Sequence, residues 1–214
     1  MLELAKLCLK EGRIRPQDIG RALDGLQLKD LGRCHHYSVR GDWLQTLDFR
    51  DRSVLLHPGR FPRIASATYF ENRVACCAFL LPPGSVLPLH DHPTQVVVQK
   101  VLCGTATITS YDWDRDDPRS SRAVVVDSKV KYGPDTPASS FGPVNGGVLH
   151  EIRNDCQSEP LIFIDIISPP YHKPPQFISC TYYTLARPRE NNATVVELDV
   201  AHPIVEMDTL LPLD

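Results

Sequence analysis

The spacing of apolar positions changes character once along this chain. Up to Gly32 the helical period dominates: Pro16 suits a first helical turn, and Ile19, Ala22, Leu23 and Leu26 fall on one stripe. Gly32 ends that character, and a shorter helical repeat covers Leu2–Leu9. The stretch Arg33–Pro62 follows neither period and reads as a loop. From Ile64 onward short apolar runs predict strands at Ile64–Phe70, Arg73–Leu81, Val96–Leu102, Thr105–Asp112 and Arg122–Val130. Further strands are predicted at Val148–Arg153, Leu161–Ile167, Phe177–Leu185 and Thr194–Leu198. Pro, Gly and Asn punctuate them, as in Leu81-Pro82-Pro83-Gly84 and Gly142-Pro143. Many short strands without intervening helices predict an all-β sandwich or barrel with a helical N-terminal extension.

Composition narrows this picture. At 214 residues the chain fits one domain with an appendage. The expected division is a helical extension at 1–32, packed on the barrel, and a main β domain at 33–214. Nineteen prolines, nearly twice the usual ~5% share, argue for many sharp loops between short elements. A formal charge of −3 with no basic run excludes a nucleic-acid footprint. No apolar stretch approaches the ~18 residues that span a bilayer, so no membrane is expected. Glu3 and Lys6 interrupt the N-terminal leucines, so no secretory core is expected there. The seven cysteines are scattered and form no C-x-x-C pair, which favours reduced thiols in an intracellular compartment.

The chemistry concentrates between Gly84 and Gly104. His90 and His92 are separated by one residue, which places both imidazoles on one face of a strand. Imidazole is the commonest metal ligand, so such a pair is a ready two-point chelate. A third candidate, His150, closes the stretch Pro143-Val144-Asn145-Gly146-Gly147-Val148-Leu149-His150. Gly84, His90, His92 and Gly104 resemble the first cupin motif, and Gly147, His150 and Asn154 resemble the second. The resemblance implies a double-stranded β-helix, the jelly-roll barrel of cupins, holding a metal. Val97 stands where the first motif has its glutamate. Three neutral imidazoles then remain without a protein anion, leaving up to three open positions for an anionic soft donor and a small molecule. Iron(II) suits such ligands and can do oxygen chemistry, whereas zinc has no redox.

Five further segments, in this order, make the chain resemble the thiol dioxygenase family of plant cysteine oxidases and animal 2-aminoethanethiol dioxygenases. They are Leu87-Pro88-Leu89-His90-Asp91-His92-Pro93, Lys100-Val101-Leu102-Cys103-Gly104, Ser110-Tyr111-Asp112-Trp113, Asp165-Ile166-Ile167-Ser168-Pro169-Pro170-Tyr171 and Cys180-Thr181-Tyr182-Tyr183. The resemblance implies Fe(2+) held by His90, His92 and His150, with dioxygen and a thiol as partners and a sulfinic acid as product. The implied thiol is cysteamine or the N-terminal cysteine of a peptide or protein, which connects the reaction to oxygen sensing. A cytoplasmic, monomeric enzyme, with nuclear presence also compatible, is the corresponding expectation. Two departures bear on substrate preference: Thr94-Gln95 replaces the usual Gly-Met, and Val148 replaces an asparagine.

Other residues admit two readings each. Asp165 lies inside the apolar run Ile162–Ile167, either as a satisfied polar residue at a pleat edge or as an anion near the metal. Tyr171 follows two prolines and is a candidate active-site hydroxyl or a packing residue. Cys180 and Tyr182, two apart on a predicted strand, are core residues or, by the resemblance, partners in a thioether cross-link. Asp91 is expected as a loop or surface anchor and Asn154 as structural. His35-His36, His57, His172 and His202 are expected to be solvated or in turns, and the charge run Asp112–Arg119 to be a hairpin tip. The competing functions are another cupin metalloenzyme, such as an isomerase or a dioxygenase for a non-thiol substrate, and a non-enzymatic cupin binding a small ligand.

Overall fold

The computed structural model describes residues 15–31, 33–37, 44–48, 63–70, 73–114, 121–188, 193–202 and 208–212. Helix α1 spans Pro16–Asp24 and a 3-10 turn follows at Leu28–Leu31. The strands are β1 (Arg33–Tyr37), β2 (Leu44–Asp48), β3 (Arg63–Phe70), β4 (Val74–Leu81), β5 (Val86–Asp91), β6 (Val96–Cys103) and β7 (Ala106–Trp113). Then come β8 (Arg122–Tyr132), β9 (Ser139–Phe141), β10 (Leu149–Arg153), β11 (Leu161–Ser168), β12 (Tyr182–Leu185), β13 (Val195–Ala201) and β14 (Asp208–Pro212). They form an eight-stranded sheet in the order β2-β1-β14-β3-β4-β11-β6-β9 and a smaller sheet, β10-β5-β12-β13-β8-β7, that closes on itself. The all-β class with one short N-terminal helix matches the sequence expectation.

Strands β4 and β11 are buried on both faces, which explains their unbroken apolar sequences. On one face Val74, Cys76, Ala78 and Leu80 join Ile162, Ile164 and Ile166 beneath Ile19 and Leu23 of α1. On the other, Ala75, Cys77, Phe79 and Leu81 join Phe163 and Ile167 and meet Leu87, Ile108 and Ile152 of the smaller sheet. Phe79 and Phe163 stack there with ring centroids 4.9 Å apart. Each fully buried Leu, Ile or Phe contributes about 1.5–3 kcal/mol, so both layers are well anchored. A third cluster, Leu89, Tyr111, Ala123, Leu149, Val196 and Leu198, fills the closure of the smaller sheet. Leu87 and Ile152 thus face the larger sheet and Leu89 and Leu149 that chamber, the β5 bulge at Pro88 switching the face between Leu87 and Leu89.

Turns fix the ends of these strands. Gly104 has φ +75°, and a Cβ there would lie 2.5 Å from the Pro160 carbonyl oxygen, so only glycine fits between β6 and β7. At the opposite side of the loop Asn154 donates to the carbonyls of Leu81, Pro82 and Glu159 and accepts from the N–H of Cys156. This is the structural role its sequence position suggests.

Four expectations change. The Arg33–Pro62 loop contains β1 and β2, which pair with each other, while β1 also pairs with β14. The strand carrying His90 is not marked by alternation, because Pro88 interrupts it at a register shift between β5 and β10. Only Tyr182–Leu185 of the expected Phe177–Leu185 strand is extended; Phe177 has a left-handed φ of 48° and is exposed. Cys180 therefore lies before β12 rather than on it. Asp112, the last residue of the expected strand Thr105–Asp112 and the first of the charge run expected as a hairpin tip, belongs to β7 and accepts the N–H of Val148. The expected helix at Leu2–Leu9, His57 and residues 115–120 lie outside the described residues.

Candidate metal centre

His90 on β5 and His150 on β10 are cross-strand partners, and His92 follows just beyond the end of β5. The N–H of His92 bonds the Val148 carbonyl at 2.6 Å, which holds that residue beside β10. The three rings meet edge to face, with centroids 4.7 to 5.0 Å apart. One nitrogen from each lies within 4.8 Å of the others, and His92 Nε2 and His150 Nε2 are 3.2 Å apart. All three side chains are buried.

Their tautomers follow from their partners. His90 Nδ1 lies 2.8 Å from the Pro88 carbonyl oxygen, which can only accept, so Nδ1 carries the proton and Nε2 a lone pair. Tyr171 donates its hydroxyl to the Asp91 carbonyl, and its oxygen lies 2.6 Å from His92 Nδ1. That oxygen accepts from Nδ1–H, leaving His92 Nε2 free as well. His150 Nδ1 has no hydrogen-bond partner among the described residues. Burial pushes the His90 pKa down to about 4. Burial and the neighbouring imidazoles hold His92 and His150 well below the usual value. At neutral pH the cluster is three uncharged imidazoles, with the His90 and His92 lone pairs facing inward. The 3.2 Å contact between His92 Nε2 and His150 Nε2 is met either by a proton on His150 Nε2 or by a cation between the two nitrogens. The donor set therefore fits a divalent metal, and no carboxylate joins it among the described residues. Val97 is fully buried and packs with Phe141, whose ring edge meets His150 at 5.0 Å.

The remaining candidates fall into two groups. Tyr171, Cys180 and Tyr182 gather beside the imidazoles: Tyr182 pairs with His90 across β12 and β5, with rings 5.9 Å apart. Burial pushes the Cys180 thiol up to about 11, with the Tyr171 and Tyr182 hydroxyls opposing the shift. Asp165 belongs to the other group. It lies across from Cys77 on β4 and Gln99 on β6, and Gln99 Nε2 donates to its Oδ1 at 3.0 Å. Burial raises its pKa to about 7, with Gln99 opposing the shift. No hydrogen bond joins it to the three imidazoles. Asp91 is buried rather than at the surface; its carboxylate accepts from the N–H of Thr181 and the hydroxyl of Tyr183. His172 is exposed, as expected.

One residue near these groups went unread in the sequence. Gln99 is a buried polar residue at the same parity as Val97, on the inward face of β6. Its position was a usable signal, since a glutamine inside an apolar run needs a reason.

A family model described as PCO_ADO matches residues 23–212. Plant cysteine oxidase 2 of Arabidopsis thaliana is 38% identical over 132 residues, covering 58% of this chain and 45% of that protein. The 2-aminoethanethiol dioxygenase of Homo sapiens is 31% identical over 183 residues, covering 72% of this chain and 66% of its own. The chain thus spans less than two thirds of the length of each. A solved protein with a double-stranded β-helix domain from Klebsiella pneumoniae aligns over 56% of this chain and 87% of its own, with 18% identity and a TM-score of 0.36. No described helix is long and apolar enough to cross a membrane.

Proposed function

Because the chain belongs to the PCO_ADO family, we propose that it is an iron(II)-dependent thiol dioxygenase. Its substrate is cysteamine or the N-terminal cysteine of a peptide or protein. Both atoms of dioxygen enter the thiol: R–SH + O2 gives R–SO2H, with sulfur losing four electrons and dioxygen gaining four. The observation that carries this reading is the convergence of three buried, neutral imidazoles without a carboxylate.

His90, His92 and His150 would hold the iron, which when bound supplies the redox-active centre that lets a thiolate react with dioxygen. The chain's own groups prepare that centre. The Pro88 carbonyl and the Tyr171 hydroxyl fix the tautomers of His90 and His92, so their lone pairs face inward before any ligand arrives. Because the imidazoles carry no charge, a bound thiolate would meet no protein anion among them. Tyr171 is itself anchored on the Asp91 carbonyl, and its phenol stays protonated because burial raises its pKa. Asp165 is the candidate carboxyl for receiving the substrate's ammonium or hydrogen-bonding a ligand, and Gln99 holds it. Contact between the Cys180 thiol and the Tyr182 hydroxyl supports a thioether cross-link at that pair. A cytoplasmic monomer, acting on neither nucleic acid nor membrane, completes the proposal.

The test is direct. Anaerobically purified protein should contain about one iron per chain and consume dioxygen with cysteamine or a Cys-initiated peptide. Mass spectrometry after parallel incubation with cysteamine, free cysteine and that peptide should find two added oxygen atoms on one of them. Zinc-only occupancy with no oxygen uptake would reject the enzyme.

A further inference from the structure

Asp91 stands between His90 and His92, and each of its polar atoms has a partner. Its N–H donates to the Thr181 carbonyl at 3.0 Å, and its own carbonyl accepts the Tyr171 hydroxyl. The carboxylate accepts the Thr181 N–H at 2.8 Å and the Tyr183 hydroxyl at 3.1 Å. Tyr182 lies between these two partners in the chain, with its ring 5.9 Å from that of His90.

This pattern departs from an ordinary sheet. Beside the Tyr182–His90 pair, a regular antiparallel ladder would send the Thr181 N–H to the Asp91 carbonyl. Here the side chain takes that donor, while the carbonyl serves Tyr171, whose oxygen in turn lies 2.6 Å from His92 Nδ1. Strand β12 meets β5 at one register position, Tyr182 opposite His90, and otherwise pairs with β13. So short a ladder leaves the seating of β12 to side chains, and the Asp91 carboxylate grips the segment on both sides of Tyr182. Burying a carboxylate costs stability, and both of its oxygens go to this one segment. Alternation along β5 turns the Asp91 side chain to the face opposite His90, so it acts on the pocket only through what it holds.

We infer that Asp91 is a positioning residue for the thiol pocket: its carboxylate holds Tyr182 against His90, so that the tyrosine ring forms the wall beside the imidazoles. This rests on the thiol dioxygenase reading. The experiment measures binding of cysteamine and of a Cys-initiated peptide to iron(II)-loaded protein by anaerobic calorimetry at pH 7, with iron content determined for every sample. For the thiol that the parent binds more tightly, Asp91→Ala should weaken binding ~10-fold with iron retained. Tyr183→Phe, which removes one of the two grips, should weaken it about threefold. Asp91→Asn keeps an acceptor for the Thr181 N–H and should stay within about twofold of the parent. Tyr182→Ala should also weaken binding ~10-fold, and adding Asp91→Ala to it should change nothing more, because both act through one ring. A merely structural loosening would weaken binding again in that double variant. Parental affinity in iron-loaded Asp91→Ala, or in Tyr183→Phe should Asp91→Ala fail to fold, overturns the role of Asp91 and leaves the dioxygenase reading standing. Losses that multiply in the double variant, or an Asp91→Asn as weak as Asp91→Ala, overturn it equally. If the iron-loaded parent binds neither thiol, the dioxygenase reading fails and this inference fails with it.

Discussion

The two faces of β6 handle buried polar groups in opposite ways. On the face toward α1, Lys100 is almost wholly buried, yet its ammonium donates to the carbonyls of Pro134 and Thr136 at 2.6 Å each. The Asp24 carboxylate lies 4.0 Å away. On the inward face Gln99, and Gln95 just before the strand, each use their nitrogen and leave their oxygen without a hydrogen-bond partner among the described residues. Asn154 is the extreme of the first kind, with every polar atom engaged, and His150, with one ring nitrogen orphaned, represents the second. Pairing is complete where the chain holds itself together and incomplete where something from outside would finish it.

That contrast can be broken by substitution. His150→Ala should have the largest effect, reducing iron content to background by elemental analysis. Its β-type circular dichroism should persist, because removing an unpaired nitrogen orphans nothing. Iron retention at the parental level would place the metal elsewhere.

Asp165→Asn sharpens the contrast through pH. The native carboxyl keeps its proton up to about pH 7, whereas an unfolded aspartate releases it near 4. The unfolded chain therefore binds fewer protons across that window, and the stability contribution of the protonated carboxyl is lost as pH rises through 7. In metal-free protein the variant should gain on the parent by about 4 kcal/mol between pH 4 and 8, at 1.36 kcal/mol per pH unit. Parallel denaturation curves at all pH values would show that the carboxyl is not desolvated. With iron loaded, the same variant should keep its metal but lose turnover, and unchanged kinetics would remove Asp165 from the reaction.

Asn154→Ala is the converse of His150→Ala. It removes the amide's bonds to three carbonyls and one N–H, the Pro82 carbonyl keeping those from Ser85, and should lower unfolding stability by roughly 2–4 kcal/mol in urea. Iron content should stay at the parental level. Loss of iron without loss of stability would erase the distinction between the two classes.

Much of this was legible in the residues. The pairing of His90 with His92 follows from spacing, because period-two strands leave strong marks, whereas His150, the missing carboxylate at Val97 and Asn154 were read from the resemblance to the cupin motifs. Central strands β4 and β11 were equally plain, since burial on both faces demands continuous apolar sequence. What stayed hidden has identifiable causes. Arg33–Tyr37 and Leu44–Asp48 gain their strand character from partners, β1 lying between β2 and β14. Their own sequences do not alternate. Strand β9 is only three residues long, and Pro88 masks β5 because a proline inside a strand argues against one until a bulge accounts for it. The Phe177–Cys180 stretch was read as strand from its apolar content, while the neighbouring prolines and a left-handed Phe177 make it irregular.

Strands β5 and β10 are walls common to two chambers. Leu89 and Leu149 are chain neighbours of His90 and His150 but point into the closure of the smaller sheet. The bite of the imidazole chelate is consequently calibrated from behind, by packing on the side away from the three rings. Enlarging or trimming a leucine in that rear compartment offers a way to retune the centre without altering one donor atom.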